Sequence, residues 1–422
     1  MTGPADFEVW IDDTTLGGHA LVGHLARRPS RTGDVISFTY SAEWLQHSTP
    51  VTTPFQLDPQ LPLVDGPQYA TEGSDRVTPC FVDASPDRWG KLLMDRREAV
   101  EAREEGRGVR TLMSWDYLLG VSDENRMGAL RLRDPATGIF ADSHELAAPP
   151  QTDLRELEAA AQALERGDPL DTPLLRRWLR QLIAPGASLG GARPKAGFFD
   201  EGGVHCLAKF PSTTDRHDVG LWELLTWQMA CDSGINVPPA RAASFSELGH
   251  TFIVQRFDRQ NGSRRMYASA HALLDARSDS NYSYLDLVEL IEHAGTSATI
   301  GHELEQLFRR VMFNILVGNR DDHLRNHGFL REGNGWRLSP AFDINPNTSS
   351  REHVLAIDGT DPTPDTGLLL SMAAFYRLSP KRATQLADQT RAAVRGWEAR
   401  ASRIGIKRSE IALMGSVIDP DR

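Results

Sequence analysis

The stretch Gly318-Asn319-Arg320-Asp321-Asp322-His323-Leu324-Arg325-Asn326 sets an aspartate and an asparagine five residues apart, directly after a long apolar helical pattern. Phosphoryl transfer needs such a pair: a carboxylate beside the attacking hydroxyl and an amide oxygen on Mg²⁺. A gap of this length lets one loop aim both side chains into a single cleft. A second acid, Asp343 in Pro340-Ala341-Phe342-Asp343-Ile344-Asn345, follows where the main Mg²⁺ ligand is expected. Asp321 is the candidate base, and Asn326 and Asp343 are the candidate metal ligands. Asp322 is expected to point outward. His323 has no proton to move once Asp321 holds the base role, so it reads as a hydrogen-bonder that holds the loop. The chemistry these residues fit is transfer from ATP and Mg²⁺.

Three further stretches complete a nucleotide site. Gly186-Ala187-Ser188-Leu189-Gly190-Gly191-Ala192-Arg193-Pro194-Lys195 has the glycines that let a backbone approach phosphate and turn its N–H groups toward it. Ser188, Leu189, Gly190, Gly191, Ala192 and Lys195 are its candidate ATP contacts; a plain turn is the alternative. Neither the dinucleotide glycine pattern nor the P-loop is present. Lys209 lies on the strand after the one that leaves this loop, with the turn Asp200-Glu201-Gly202-Gly203 between them. A kinase carries its phosphate-binding lysine on such a strand. Glu223, on an apolar helix beginning at Val219, is its candidate partner, unless it is a charge on that helix's solvent face. The run Thr251-Phe252-Ile253-Val254-Gln255-Arg256-Phe257-Asp258-Arg259 reads as a buried strand with a polar end, at the place of a kinase hinge. Gln255, Phe257 and Asp258 are candidate nucleotide contacts, Asp258 to ribose or to a neighbouring loop. Surface salt bridges are the alternative for Arg256 and Arg259.

The elements that must position these groups can also be read. Leu304, Leu307, Phe308, Val311, Met312, Ile315 and Leu316 recur at helical spacing, so one face of this helix is buried and delivers the loop 318–326 rigidly. A hairpin over 327–342 would then bring Asp343 back beside Asn326. Short strands are expected over 7–40. Ser85-Pro86-Asp87 marks a helix start with Ser85 as cap, running to about Glu105. Helices are expected over 154–164 and 173–183, mostly over 281–317, and again over 367–415. The whole reads as α+β: a two-lobed, protein-kinase-like fold with a small mixed lobe and a larger helical lobe, behind a β-rich N-terminal accessory domain. The expected division is 1–150, 151–260 and 261–422.

Composition narrows the setting. With 46 Lys and Arg against 57 Asp and Glu, the 422 residues carry a net charge of −11, which argues against non-specific binding to nucleic acid or anionic membrane over the whole surface. The 3 cysteines, Cys80, Cys206 and Cys231, lack CxxC spacing, which fits a reducing cytoplasm better than a disulfide framework or zinc site. The N-terminus lacks an apolar signal core, and no apolar run long enough to span a bilayer occurs.

Taken together, the motifs resemble the HipA family of serine/threonine kinases, the toxins of bacterial toxin–antitoxin pairs. The similar segments are Ser188 to Lys195, Leu207-Ala208-Lys209-Phe210-Pro211, Val254 to Arg259, Gly318 to Asn326 and Phe342-Asp343-Ile344, in the family's order; Phe81 to Trp89 is similar to its N-terminal domain. The resemblance implies a growth-inhibiting kinase in which Lys209 holds ATP phosphates, Asp321 is catalytic, and Asn326 and Asp343 bind Mg²⁺. It implies autophosphorylation of Ser188, which would repel ATP and eject the loop. It further implies a small helix-turn-helix DNA-binding antitoxin as partner and an aminoacyl-tRNA synthetase or other translation protein as substrate. Gln255 departs from the Glu often found there, and Asp83-Ala84-Ser85-Pro86-Asp87 replaces a Leu-Leu-Pro stretch. A small-molecule phosphotransferase and a catalytically silent regulatory module are the competing readings.

Overall fold

The computed structural model describes residues 5–30, 33–51, 53–71, 77–141, 154–168 and 193–422. The glycine-loop residues Ser188, Leu189, Gly190, Gly191 and Ala192, the expected helix over 173–183 and the division at 150 lie outside them.

The N-terminal strands are longer than expected. β1 (Ala5–Asp13), β2 (Gly18–Ser30) and β3 (Gly33–Tyr40) form an antiparallel meander, extended by β4 (Gln68–Tyr69) and β5 (Leu130–Arg133) into a sheet of order β4-β3-β2-β1-β5. Alternation along β1 buries Phe7, Val9 and Ile11 on one face. Three helices accompany this sheet: α1 (Ala42–Leu45), α2 (Pro79–Asp83) and α3 (Arg88–Glu104), followed by α4 (Ser114–Leu119). The cap of α3 is Asp87 rather than Ser85: Asp87 accepts from the Gly90 N–H at 2.8 Å, while Ser85 Oγ donates to the Phe81 carbonyl at 2.7 Å. Both residue types suit a cap, and the extended backbone of Asp87 decides it.

The small lobe is a four-stranded sheet of order β6-β7-β9-β8, from β6 (Lys195–Phe199), β7 (His205–Lys209), β8 (Ala240–Ser246) and β9 (Gly249–Gln255). α5 (Leu154–Arg166) and α6 (Val219–Asp232) complete it. Trp89, Leu93 and Met94 of α3 join Leu157, Ala161, Phe198 and Ile253 in one buried cluster, so the accessory domain packs directly onto this lobe. The expected division at 260 falls inside a hairpin, β10 (Arg259–Gln260) with β11 (Ser263–Arg264), that lies against β1.

The large lobe contains β12 (Tyr267–Ser269), α7 (Ala270–Leu273), α8 (Tyr284–Ala294) and α9 (Ile300–Val317). β13 (Gly328–Glu332) and β14 (Gly335–Leu338) form the expected hairpin, with β12 as a third strand. α10 (Thr366–Ser371), α11 (Pro380–Val394), α12 (Trp397–Arg403) and α13 (Arg408–Met414) close the chain. The α9 residues named from periodicity are all fully buried. Gly318 ends α9 in the left-handed region (φ 71°), and a Cβ there would meet Val417, so the turn into the following loop requires glycine. Among the described residues, no helix is long and apolar enough to cross a membrane.

Candidate active site

Lys209 organises the cleft between the lobes. Its Nζ donates to Glu223 Oε1 on α6 at 2.5 Å and to Asp343 Oδ1 at 2.7 Å. Burial disfavours the charged lysine, but Asp343 and Glu223 outweigh burial and hold its pKa above the ordinary value. Burial pushes Glu223 up, with Lys209 pulling against it; Asp343 also feels burial, yet Lys209 holds it below the usual carboxylate range. Glu223 is therefore buried in the cleft, not on a solvent face. Asp343 itself adopts φ 58°, a left-handed conformation unusual for a non-glycine residue and typical of sites where a side chain must be aimed.

The loop after α9 is built from below. Asp322 was expected to face outward; it is buried, and its Oδ2 accepts from Tyr284 Oη at 2.8 Å, Asn314 Nδ2 at 2.7 Å and His327 Nε2 at 2.9 Å. The holding role assigned to His323 belongs to Asp322: His323 is half-buried, and its Nδ1 has no hydrogen-bond partner. Asp321 next to it is exposed to the cleft. Partial burial raises the Asp321 pKa; His323 opposes this, and the charges of Asp343 and Asp322 add to it. Asn326 donates from Nδ2 to the Asp321 carbonyl at 3.2 Å, which leaves its Oδ1 buried without a partner. One polar cleft is lined by Arg193, Lys195, Lys209, Asp321, Asn326 and Asp343.

That cleft adjoins an apolar pocket walled by Leu207, Val237, Phe252, Val254, Phe342 and Ile344, with Gln255 and Phe257 also lining it. Phe257 stacks on Phe342 at 5.3 Å between ring centroids. Lys195, opposite Lys209 in the β6–β7 register, is 2 % exposed, and its Nζ donates to Asp87 Oδ2 at 2.6 Å. It thus ties the strand leaving the glycine loop to the cap of α3, a contact that no local sequence pattern shows.

Asp258 is placed elsewhere. Its side chain lines neither the pocket nor the cleft. It is fully buried and accepts from Arg256 Nη2 at 2.7 Å, Arg259 Nη1 at 2.7 Å and the Gly128 N–H at 2.8 Å. The ribose contact is thereby corrected to the neighbouring-loop option: Oδ2 takes the Gly128 N–H of the accessory domain, and Oδ1 accepts from Arg256 Nε at 2.9 Å. Arg256 is buried with it, not part of a surface salt bridge.

The donor set fits a hard divalent cation: Asp343 offers a carboxylate, and Asn326 an orphaned amide oxygen that needs a partner. Nothing in this set suits a soft metal. Among the described residues no cluster of three or more His, Cys, Asp or Glu side chains could bind one.

Two lobes with a lysine–glutamate pair at their junction, and an accessory β domain fastened behind, define a kinase-type fold. A chain of the solved complex of the Shewanella oneidensis MR-1 toxin–antitoxin system HipA, HipB and its operator DNA has the same fold: TM-score 0.63 at 18% identity, covering 97% of this chain and 94% of that one. The HipA N-terminal domain model matches residues 8–133, and the HipA-like C-terminal domain model matches residues 187–397. This chain belongs to the HipA family. It is 24% identical over 360 residues to the serine/threonine-protein kinase toxin HipA of Shewanella oneidensis, covering 78% of this chain and 73% of that protein.

Proposed function

We propose that this protein is an ATP- and Mg²⁺-dependent protein serine/threonine kinase acting as a growth-inhibiting toxin. One observation carries the reading: Lys209 bridges Glu223 and Asp343 in a cleft that Asp321 and Asn326 also line. The apolar pocket suits a purine, with Gln255 and Phe257 along its wall. Lys209 binds phosphate oxygens, and Glu223 fixes the ammonium. Asn326 and Asp343 hold Mg²⁺, which when bound neutralises charge on the transferring phosphoryl group. Asp321 orients the incoming hydroxyl and takes up its proton, a role its raised pKa suits. Lys195 lines the same cleft as a second candidate phosphate contact, with its ammonium tied to Asp87.

The protein acceptor is an aminoacyl-tRNA synthetase or another translation protein, and Ser188 is an internal acceptor. Family membership and the sequence of the glycine loop support this. A small helix-turn-helix antitoxin neutralises the kinase and carries its contact with DNA; the similarity to a chain solved with HipB and operator DNA supports that partner. Three cysteines without CxxC spacing suit a cytoplasmic setting.

The test is incubation with γ-labelled ATP and Mg²⁺, and phosphoproteomics after induction in cells, for wild type and Asp321→Asn. Label on Ser188 and on a translation protein in wild type alone is expected. Wild type that transfers no phosphate to any protein would overturn the reading.

A further inference from the structure

Asn345 stands two residues after Asp343, and no motif assigns it a task. Its Oδ1 is buried and accepts no hydrogen bond, a condition it shares in this cleft with Asn326 Oδ1. An orphaned buried carbonyl oxygen is costly, so in a native fold it calls for a ligand. The backbone around it is fixed at both ends: the Ile344 carbonyl accepts from Thr226 Oγ1 at 2.7 Å, and the Asn347 N–H donates to the Gly318 carbonyl at 2.8 Å. Pro346 further holds residue 345 away from helical conformations. Ile344 lines the apolar pocket, while Asn345 lines the polar cleft with Asp343, Asn326 and Asp321.

We infer that Asn345 supplies a third protein oxygen to the divalent cation held by Asn326 and Asp343. A hard cation takes oxygen donors, and neutral amide oxygens complete a set that acids alone do not fill here. Lys209 already occupies Asp343 Oδ1, which leaves one oxygen of that carboxylate for metal. The strained backbone at Asp343 and the two clamps then have a common purpose: they present residues 343 and 345 to one ion. This inference rests on the metal site of the proposed function.

Mn²⁺ binding to the full chain, followed by electron paramagnetic resonance with saturating AMP-PNP, tests it apart from activity. Asn345→Ala is expected to weaken Mn²⁺ binding by about tenfold or more, with AMP-PNP affinity in EDTA unchanged. Asn345→Asp, which keeps an oxygen at that position, is expected to bind Mn²⁺ at least as tightly as wild type. If Asn345→Ala binds Mn²⁺ like wild type while Asp343→Ala loses it, the role of Asn345 is overturned and the metal site stands. If Asp343→Ala also binds like wild type, the metal site and the role of Asn345 fall together.

Discussion

Removal of the Asp258 carboxylate separates a structural role from a nucleotide-binding one. Asp258 faces Arg256, which is 4 % exposed, together with Arg259 and the Gly128 N–H. Burial would raise its pKa, yet the two guanidiniums hold it well below the usual carboxylate range. Asp258→Ala leaves two cations with only carbonyl acceptors and one buried N–H without a partner. Breaking a buried pair on one side costs about 3–5 kcal/mol. Urea unfolding of the full chain should register that loss at neutral pH. The sign with pH is fixed: a carboxylate with a depressed folded pKa contributes stability above its unfolded value, and this is lost as pH falls through the folded one. The gap between wild type and variant should therefore stay level from neutral pH to roughly pH 5 and narrow only in stronger acid. Calorimetry with AMP-PNP, at a temperature where the variant is folded, should give wild-type affinity within about twofold. A stable variant that has lost nucleotide binding would refute this account of Asp258 and restore the ribose contact.

Three further outcomes are expected. Glu223→Gln frees the Lys209 ammonium from its helix partner, and steady-state assays should show kcat/KM for ATP falling by roughly 10²-fold through misplacement; unchanged kinetics would contradict the role of the pair. Asp322→Ala leaves Tyr284, Asn314 and His327 without their acceptor, so kcat should fall by about 10²-fold with KM for ATP nearly constant; an outward Asp322 would give no effect. Asp83 is pushed up to about 6 by burial, against hydrogen bonds from Ser269 and the charge of Arg325. Its folded pKa lies above its unfolded one, so its contribution is full below the unfolded value and lost as pH rises through about 6. Asp83→Asn should flatten the pH dependence of urea unfolding by up to about 3 kcal/mol between pH 4 and 7; an unaltered slope would contradict it.

What the sequence made legible was local. The Asp321-to-Asn326 spacing, the α9 stripe and the β13–β14 hairpin depend on neighbours within a few turns of chain, and they place Asn326 and Asp343 correctly along one cleft. The Lys209–Glu223 pair was legible because a strand and the next helix carry it. The choice between Asp322 and His323 was not: which of two adjacent polar residues turns inward depends on Tyr284, Asn314 and His327 arriving from three elements. The ribose reading of Asp258 failed in the same way, since the Gly128 N–H that fixes it is more than a hundred residues distant, and the Lys195–Asp87 contact was invisible for the same reason. A charged side chain beside a glycine loop or a hinge looks like a ligand contact until its remote counter-charge is known. In this fold the remote partners, the Asp87 carboxylate for Lys195 and the Gly128 N–H for Asp258, belong to the accessory domain, which also fastens the large lobe through Asp83, whose oxygens take the Ser269 N–H and Oγ.

The most direct measurement is a crystal structure with Mn²⁺ and AMP-PNP, read by anomalous scattering. The expected result is a manganese peak in contact with Asn326 and Asp343, phosphate oxygens at Lys209 Nζ, and adenine between Phe252 and Phe342. Nucleotide bound elsewhere, or a metal peak remote from Asp343, would contradict the central claim.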